Sequence, residues 1–154
     1  MAVFAYTIRD ARWTDCGPMA RKVTCGRWLC YSEAGIDMRA QLRMLWGLSV
    51  IRKSWLIDGR MAAMGGMTGS LLSRAGKIWM VVAPEAERHR FAFLREAMAN
   101  LDAVAQGRHE IHVQVAESDG TALRFAKWMG FQDNGPPIQI GNSSVFVCPL
   151  VLRR

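Results

Sequence analysis

The stretch Ser54-Trp-Leu-Ile-Asp-Gly-Arg-Met-Ala-Ala-Met constrains the fold more than any other part of the chain. Two apolar runs separated by Asp58-Gly59 predict a tight hairpin, because both central residues of the favoured turn need positive φ, which Asp and Gly tolerate. The strands are expected over Ser54–Ile57 and Arg60–Met67. Gly65 and Gly66 inside the second strand point either to a bulge or to a second backbone passing close by. Lys77-Ile-Trp-Met-Val-Val-Ala follows, a continuous apolar run of the kind covered on both faces. A hairpin leading into a buried strand puts a sheet at the centre of the molecule.

The flanking segments read as helices and further strands. Phe4 to Arg9 is a first strand, and Thr14-Asp15 starts a helical stretch towards Cys30. A second helix covers Asp37 to Leu48, with Met38, Leu42, Leu45 and Trp46 at helical spacing. Pro84 ends the apolar strand and suits the first turn of a long helix. Phe91, Leu94, Met98 and Leu101 form its stripe, and Gly107 stops it. Ile111-His-Val-Gln-Val-Ala is a strand. Asp119 caps a short helix closed by Gly130, and Ile138–Ile140 and Val145–Leu152 are the last two strands. No repeat or linker interrupts this β-α-α-β-β-β-α-β-α-β-β order, which predicts one domain over residues 1–154.

Composition narrows the class. Of 154 residues, 51% are apolar and 21% charged, which excludes a disordered or collagen-like chain. Arg39, Arg43, Arg52, Lys53 and Arg60 break up the most apolar region, so no run reaches the ~18 residues that span a bilayer. With no secretory leader visible at the N-terminus, a cytoplasmic protein is expected. Cys16, Cys25, Cys30 and Cys148 lack Cys-x-x-Cys spacing and His89, His109 and His112 are scattered, so no metal site is expected. The net charge is +7, and Lys22, Lys53, Lys77 and Lys127 are the only lysines among 20 cations. Arginine favours bidentate phosphate contact, so a phosphorylated ligand is a reasonable partner. The arginines form no run, and Arg-Trp pairs such as Arg12-Trp13 are dispersed, which argues against nucleic acid.

The order of elements, with Asp119-Gly-Thr-Ala122-Leu-Arg-Phe125-Ala126-Lys-Trp-Met-Gly130-Phe131 and Tyr6-Thr-Ile-Arg9-Asp-Ala, resembles the GNAT family of acetyl-CoA-dependent N-acetyltransferases. The resemblance spans nearly the whole chain in order, but its motifs are short. It implies an α/β (α+β) fold: a central mixed, mostly antiparallel sheet of about seven strands, helices on both faces, and splayed fourth and fifth strands. It also implies acetyl-CoA as cofactor and an amine, on a small molecule or a protein, as acceptor.

The resemblance assigns cofactor contacts to Met80, Val81, Val82 and Ala83, to Arg88, His89 and Arg90, and to Asp119 and Phe125. Two departures stand out. Pro84-Glu-Ala-Glu-Arg88-His89-Arg90-Phe91-Ala92-Phe93 has no glycine where the family has a glycine-rich pyrophosphate loop, and Ala126 occupies the position of the family's proton-donating tyrosine. The remaining catalytic candidates are Glu117 and Ser118, after the fifth strand, where carboxylates of open α/β sheets face the cleft. His112 is a lesser alternative, and the helix cap alone suffices to explain Asp119. The Ala-Ala-Met-Gly and Ile-Trp-Met runs and the Glu-Arg-His-Arg-Phe-Ala-Phe-Leu-Arg helix start resemble a glycine-poor, phage- and prophage-encoded subgroup similar to podophage internal virion proteins. That likeness implies, as the alternative, a catalytically degenerate, virion-associated protein with a homodimeric or phage protein partner.

Overall fold

The computed structural model describes residues 5–23, 35–70 and 72–154. Strand β1 (Tyr6–Asp10) leads through a single 3-10 turn (Trp13–Asp15) into helix α1 (Cys16–Val23), and α2 is Met38–Leu48. Asp37 caps α2, its carboxylate accepting from the Arg39 and Ala40 N–H groups. Beyond Val23 the expected course to Cys30 lies outside the described residues, as do Phe4 and Cys25.

The strands β2 (Ser49–Ile57), β3 (Arg60–Thr68) and β4 (Ala75–Val82) form the meander predicted by the hairpin. Asp58 and Gly59 have φ of 49° and 77°, the two positive values that this turn demands. Strand β2 starts five residues before the expected Ser54: α2 runs directly into it, and Gly47, two residues before the change, stays within the helix. Gly65 and Gly66 pair in register with Lys53 and Arg52, while the register shifts of this pair fall at Ser49/Ile51 and Trp55/Leu56. The glycines therefore answer to close backbones. A Cβ on Gly65 would stand 2.8 Å from the Trp79 carbonyl oxygen, and one on Gly66 would collide with that of Ile51.

Helix α3 (Pro84–Arg88) and helix α4 (Arg90–Ala105) replace the single helix expected from Pro84 to Gly107. The break is His89, at φ −115° and ψ 39°, a conformation that ends the first ladder before the second begins. Strand β5 (Glu110–Ala116), helix α5 (Gly120–Trp128), β6 (Gln132–Asp133), β7 (Ile138–Gln139) and β8 (Phe146–Arg153) complete the chain. The eight strands of the described residues make one sheet, ordered β1-β2-β3-β4-β5-β8-β6 with β7 also on β8, one strand more than expected. The extra strand, β6, is two residues long and carries no periodic signal. Among the described residues only β4 and β5 pair parallel.

Alternation along the strands divides the core between the two faces. Met64 and Val81 pack with Met19 of α1 and Leu42 of α2 on one face. On the other, Met67 and Ile111 pack with Leu101 of α4 and Ala126 of α5, and Trp55 and Val82 with Phe93. Among the described residues no helix is long and apolar enough to cross a membrane.

Candidate active site

Strands β4 and β5 stay together for only three positions, Ala75 to Lys77 opposite Glu110 to His112. The Lys77 ammonium donates to the Gln114 side-chain carbonyl (3.3 Å) near the point where they part. From there β4 continues to Val82 and β5 to Ala116 with no pairing between them. Each remains bonded on its outer edge, β4 to β3 and β5 to β8. The result is a wedge in the middle of the sheet, open at the carboxyl ends of both strands.

Ladder phase fixes which main-chain groups face this gap. The Ala83 N–H donates to the Ala62 carbonyl (2.8 Å), so the bonded pairs on that side are Ala62 with Ala83 and, two residues back, Met64 with Val81. Met80 and Val82 then turn their N–H and C=O groups towards β5. On the opposite lip the Glu117 N–H donates to the Phe146 carbonyl (2.9 Å), which turns the main chain of Gln114 and Ala116 towards β4. Of the four residues Met80 to Ala83, two address the gap and two are committed to β3. Unpaired ladder edges of this kind bind extended, amide-bearing ligands.

Glu117 and Ser118 lie exposed just past the end of β5, on the second lip. The Glu117 charge reaches Cys148 on β8, whose thiol is pushed up by burial and then by Glu117 and Asp133. Asp119 caps α5, accepting from the Ala122 N–H (3.1 Å). Phe125 lies on the same helix, its ring 5.8 Å from Phe93 of α4, so an aromatic contact joins the helices on either side of the wedge. Ala126 is buried at 4% exposure. His112 is held by Glu110 (3.0 Å) at the closed end of the wedge, away from its mouth.

The segment after β4 is helical from its first residue. The Ala86 N–H turns back to the Ala83 carbonyl (3.1 Å), and Glu85 and Glu87 place carboxylates in the first turn. Glu85 binds Lys22 of α1 (2.8 Å). Burial pushes its carboxyl up, but the Lys22 ammonium, with Arg88 beyond it, holds it below the usual range. Arg88 and Arg90 are exposed, and His89 packs edge-on against Tyr6 (6.2 Å). Thus the structure brings Met80, Val82, Glu117 and Ser118 to the two lips. It places Arg88 and Arg90 on the helical segment beyond them.

Sequence reasoning missed two features. One is the buried carboxylate of Asp15, bound by Arg9 and Ser54. The other is an apolar cavity under α4, for which Gly65-Gly66 was the one available signal.

The fold is that of the GNAT acetyltransferases. Spermidine N-acetyltransferase from Vibrio cholerae, in complex with CoA and spermine, superposes with a TM-score of 0.70 at 15% identity over 96% of this chain and 95% of that one. A candidate acetyltransferase from Salmonella typhimurium, with its cofactor acetyl-CoA, gives 0.67 at 16% over 97% and 94%. The GNAT-family acetyltransferase from Bacillus anthracis gives 0.69 at 14% over 96% and 94%. No family model and no curated sequence matches the chain.

Proposed function

We propose that this chain transfers an acetyl group from acetyl-CoA to an amine in the cytoplasm. The observation that carries this reading is the wedge, with free strand edges at Met80, Val82, Gln114 and Ala116. It fits a thioester arm bearing amides. The helix start fits phosphate only through Arg88 and Arg90, because no glycine in that turn admits an anion to the backbone and Glu85 and Glu87 repel one. When bound, the thioester supplies an acyl carbon open to attack by nitrogen.

The Met80 and Val82 N–H groups donate to the acceptor oxygens of the arm, one of them to the oxygen on which charge develops. Glu117 takes the proton that the amine loses as its C–N bond forms and the C–S bond breaks. Ala126 has no proton to give, so the proton needed by the departing thiolate of a bound thioester would come from solvent. Catalysis is then mainly positioning.

The test is a thermal-shift titration with acetyl-CoA, and with ATP as control for charge attraction. Ligand at about one hundred times its dissociation constant adds ~2.7 kcal/mol, a shift of roughly 5–10 °C for a chain of this size. Arg90→Glu is expected to abolish that shift with the fold intact, and Glu117→Gln to slow turnover while leaving the shift in place. Two features favour a second reading, a non-catalytic binding protein of the same fold: the glycine-free helix start and the buried Ala126. The likeness to phage-encoded relatives belongs with it. Absence of any shift with millimolar acetyl-CoA would leave the second reading standing alone.

A further inference from the structure

Between α4 and the sheet lies a partly open cavity of about 140 Å³, walled by Ile51, Trp55, Ile78 and Met80 below and by Phe93 and Ala97 above. It exists because small residues oppose one another across it. Strand β3 passes beneath as Ala63 and Gly65, and Gly65 can carry no side chain against the Trp79 carbonyl oxygen. The ring of Phe93 rests on Trp55 (5.3 Å) at one end, and Leu101 packs in the same cluster as Met67 at the other. The helix is thus held at a fixed height above the gap.

The polar side chains on the walls have partners. Lys53 binds Asp10 (2.7 Å), the Glu96 carboxylate stands 4.0 Å from the Arg95 guanidinium, and the Asn100 amide donates to the Glu96 main-chain carbonyl (2.8 Å). A pocket of this size, lined mainly by hydrocarbon, accepts an apolar guest: about 150 Å³ holds a benzene ring, roughly six carbons.

The cavity is not remote from the wedge. Met80 belongs to both, its main chain facing β5 and its side chain lining the void. A carbonyl held by the Met80 N–H therefore has the cavity at its side.

We infer that this cavity receives the hydrocarbon tail of the acyl donor, so that the preferred donor is a thioester of about six carbons, with acetyl its smallest tolerated member. The inference rests on the transfer reading and extends its acyl group. The exchange is unchanged: nitrogen bonds to the acyl carbon, the C–S bond breaks, the amine proton goes to Glu117, and the tail takes no part.

The test is binding, measured by calorimetry with acetyl-CoA, hexanoyl-CoA and dodecanoyl-CoA on the intact chain without acceptor. Hexanoyl-CoA is expected to bind at least tenfold more tightly than acetyl-CoA, since its four added methylenes leave water. Dodecanoyl-CoA should gain nothing further. Ala97→Phe, which fills the void, should remove the hexanoyl advantage and keep acetyl-CoA affinity. Ala97→Leu is the milder variant should the phenyl ring unfold the chain. In the wild type, benzene should raise the melting temperature, and in either variant it should not.

Equal affinity for acetyl- and hexanoyl-CoA would overturn the inference while the transfer reading stands. Failure of every ester to bind would overturn both. A hexanoyl advantage that survives the filling of the void would place the tail elsewhere and overturn the inference alone.

Discussion

Asp15 sits at 6% exposure with its charge fully engaged. The Arg9 guanidinium donates to both carboxylate oxygens (2.7 and 2.9 Å), and the Arg12 N–H and the Ser54 hydroxyl each add a bond of 2.8 Å. Burial pushes the Asp15 carboxyl up, but these donors, Arg9 first, outweigh it and hold the group below the usual range. Such a pair stabilises little against an apolar replacement of both members, yet loss of one member strands the other. Asp15→Ala is therefore expected to cost roughly 3 kcal/mol in urea unfolding, since Arg9 and Ser54 lose their shared acceptor. A change under about 1 kcal/mol would show that water reaches this network freely. None of it could be read from the sequence, where Asp15 was only a helix-start signal. The donors come from β1 and β2, and chain order does not tell which side chains of separate strands converge.

The elements were legible where a single residue enforces a conformation. Asp58-Gly59 marked its turn, Pro84 its helix start, and Gly107 and Gly130, at φ of 76° and 104°, closed their helices. Where no such residue enforces the change, the pattern gives no boundary. At Ser49 the nearest glycine, Gly47, sits inside α2, and neither the break at His89 nor the two-residue β6 carries a boundary residue of its own; the sequence therefore predicts a shorter β2, one helix for α3 and α4, and a loop for β6. The wedge is harder still to foresee. Strand β4 carries a continuous apolar run and β5 alternates polar with apolar residues, neither pattern marking a split, and their separation depends on which edge each already shares with β3 and β8. Gly65 and Gly66 lie between these cases: they announce a close approach without naming the partner. Gly66→Ala sets a Cβ against the Ile51 carbonyl oxygen within the β2–β3 ladder, where neither backbone can yield. Expected is a loss of about 1–3 kcal/mol, in the range of core overpacking, seen as a lower urea midpoint with unchanged m-value. A neutral result would mean that β2 and β3 part here more easily than their pairing indicates.

At the scale of the whole molecule, carboxylates join elements distant in sequence, and their titration sets how the fold meets acid. Asp15 joins the first turn to β1 and β2, Glu85 joins α3 to α1, and Glu110 joins β5 to β8 through Arg153. Each is held below its ordinary value: Asp15 and Glu85 against burial, and Glu110 by His112 and then Arg153. A depressed folded value means that the unfolded chain takes up protons first. The stabilisation is then complete above the unfolded values near 4 and disappears as pH falls through the folded ones. Urea unfolding between pH 7 and pH 2 is expected to show a plateau down to about 5 and a decline below about 4. Salt separates the contributions: about 1 M salt screens the exposed Glu110 pair at neutral pH and leaves the buried Asp15 bond largely intact. Asp15→Asn, which cannot ionise, should lower the neutral plateau and flatten the acid decline together. A variant that lowered the plateau yet kept the full acid slope would assign the acid sensitivity to Glu85 and Glu110, and Glu85→Gln would then be the variant that flattens it.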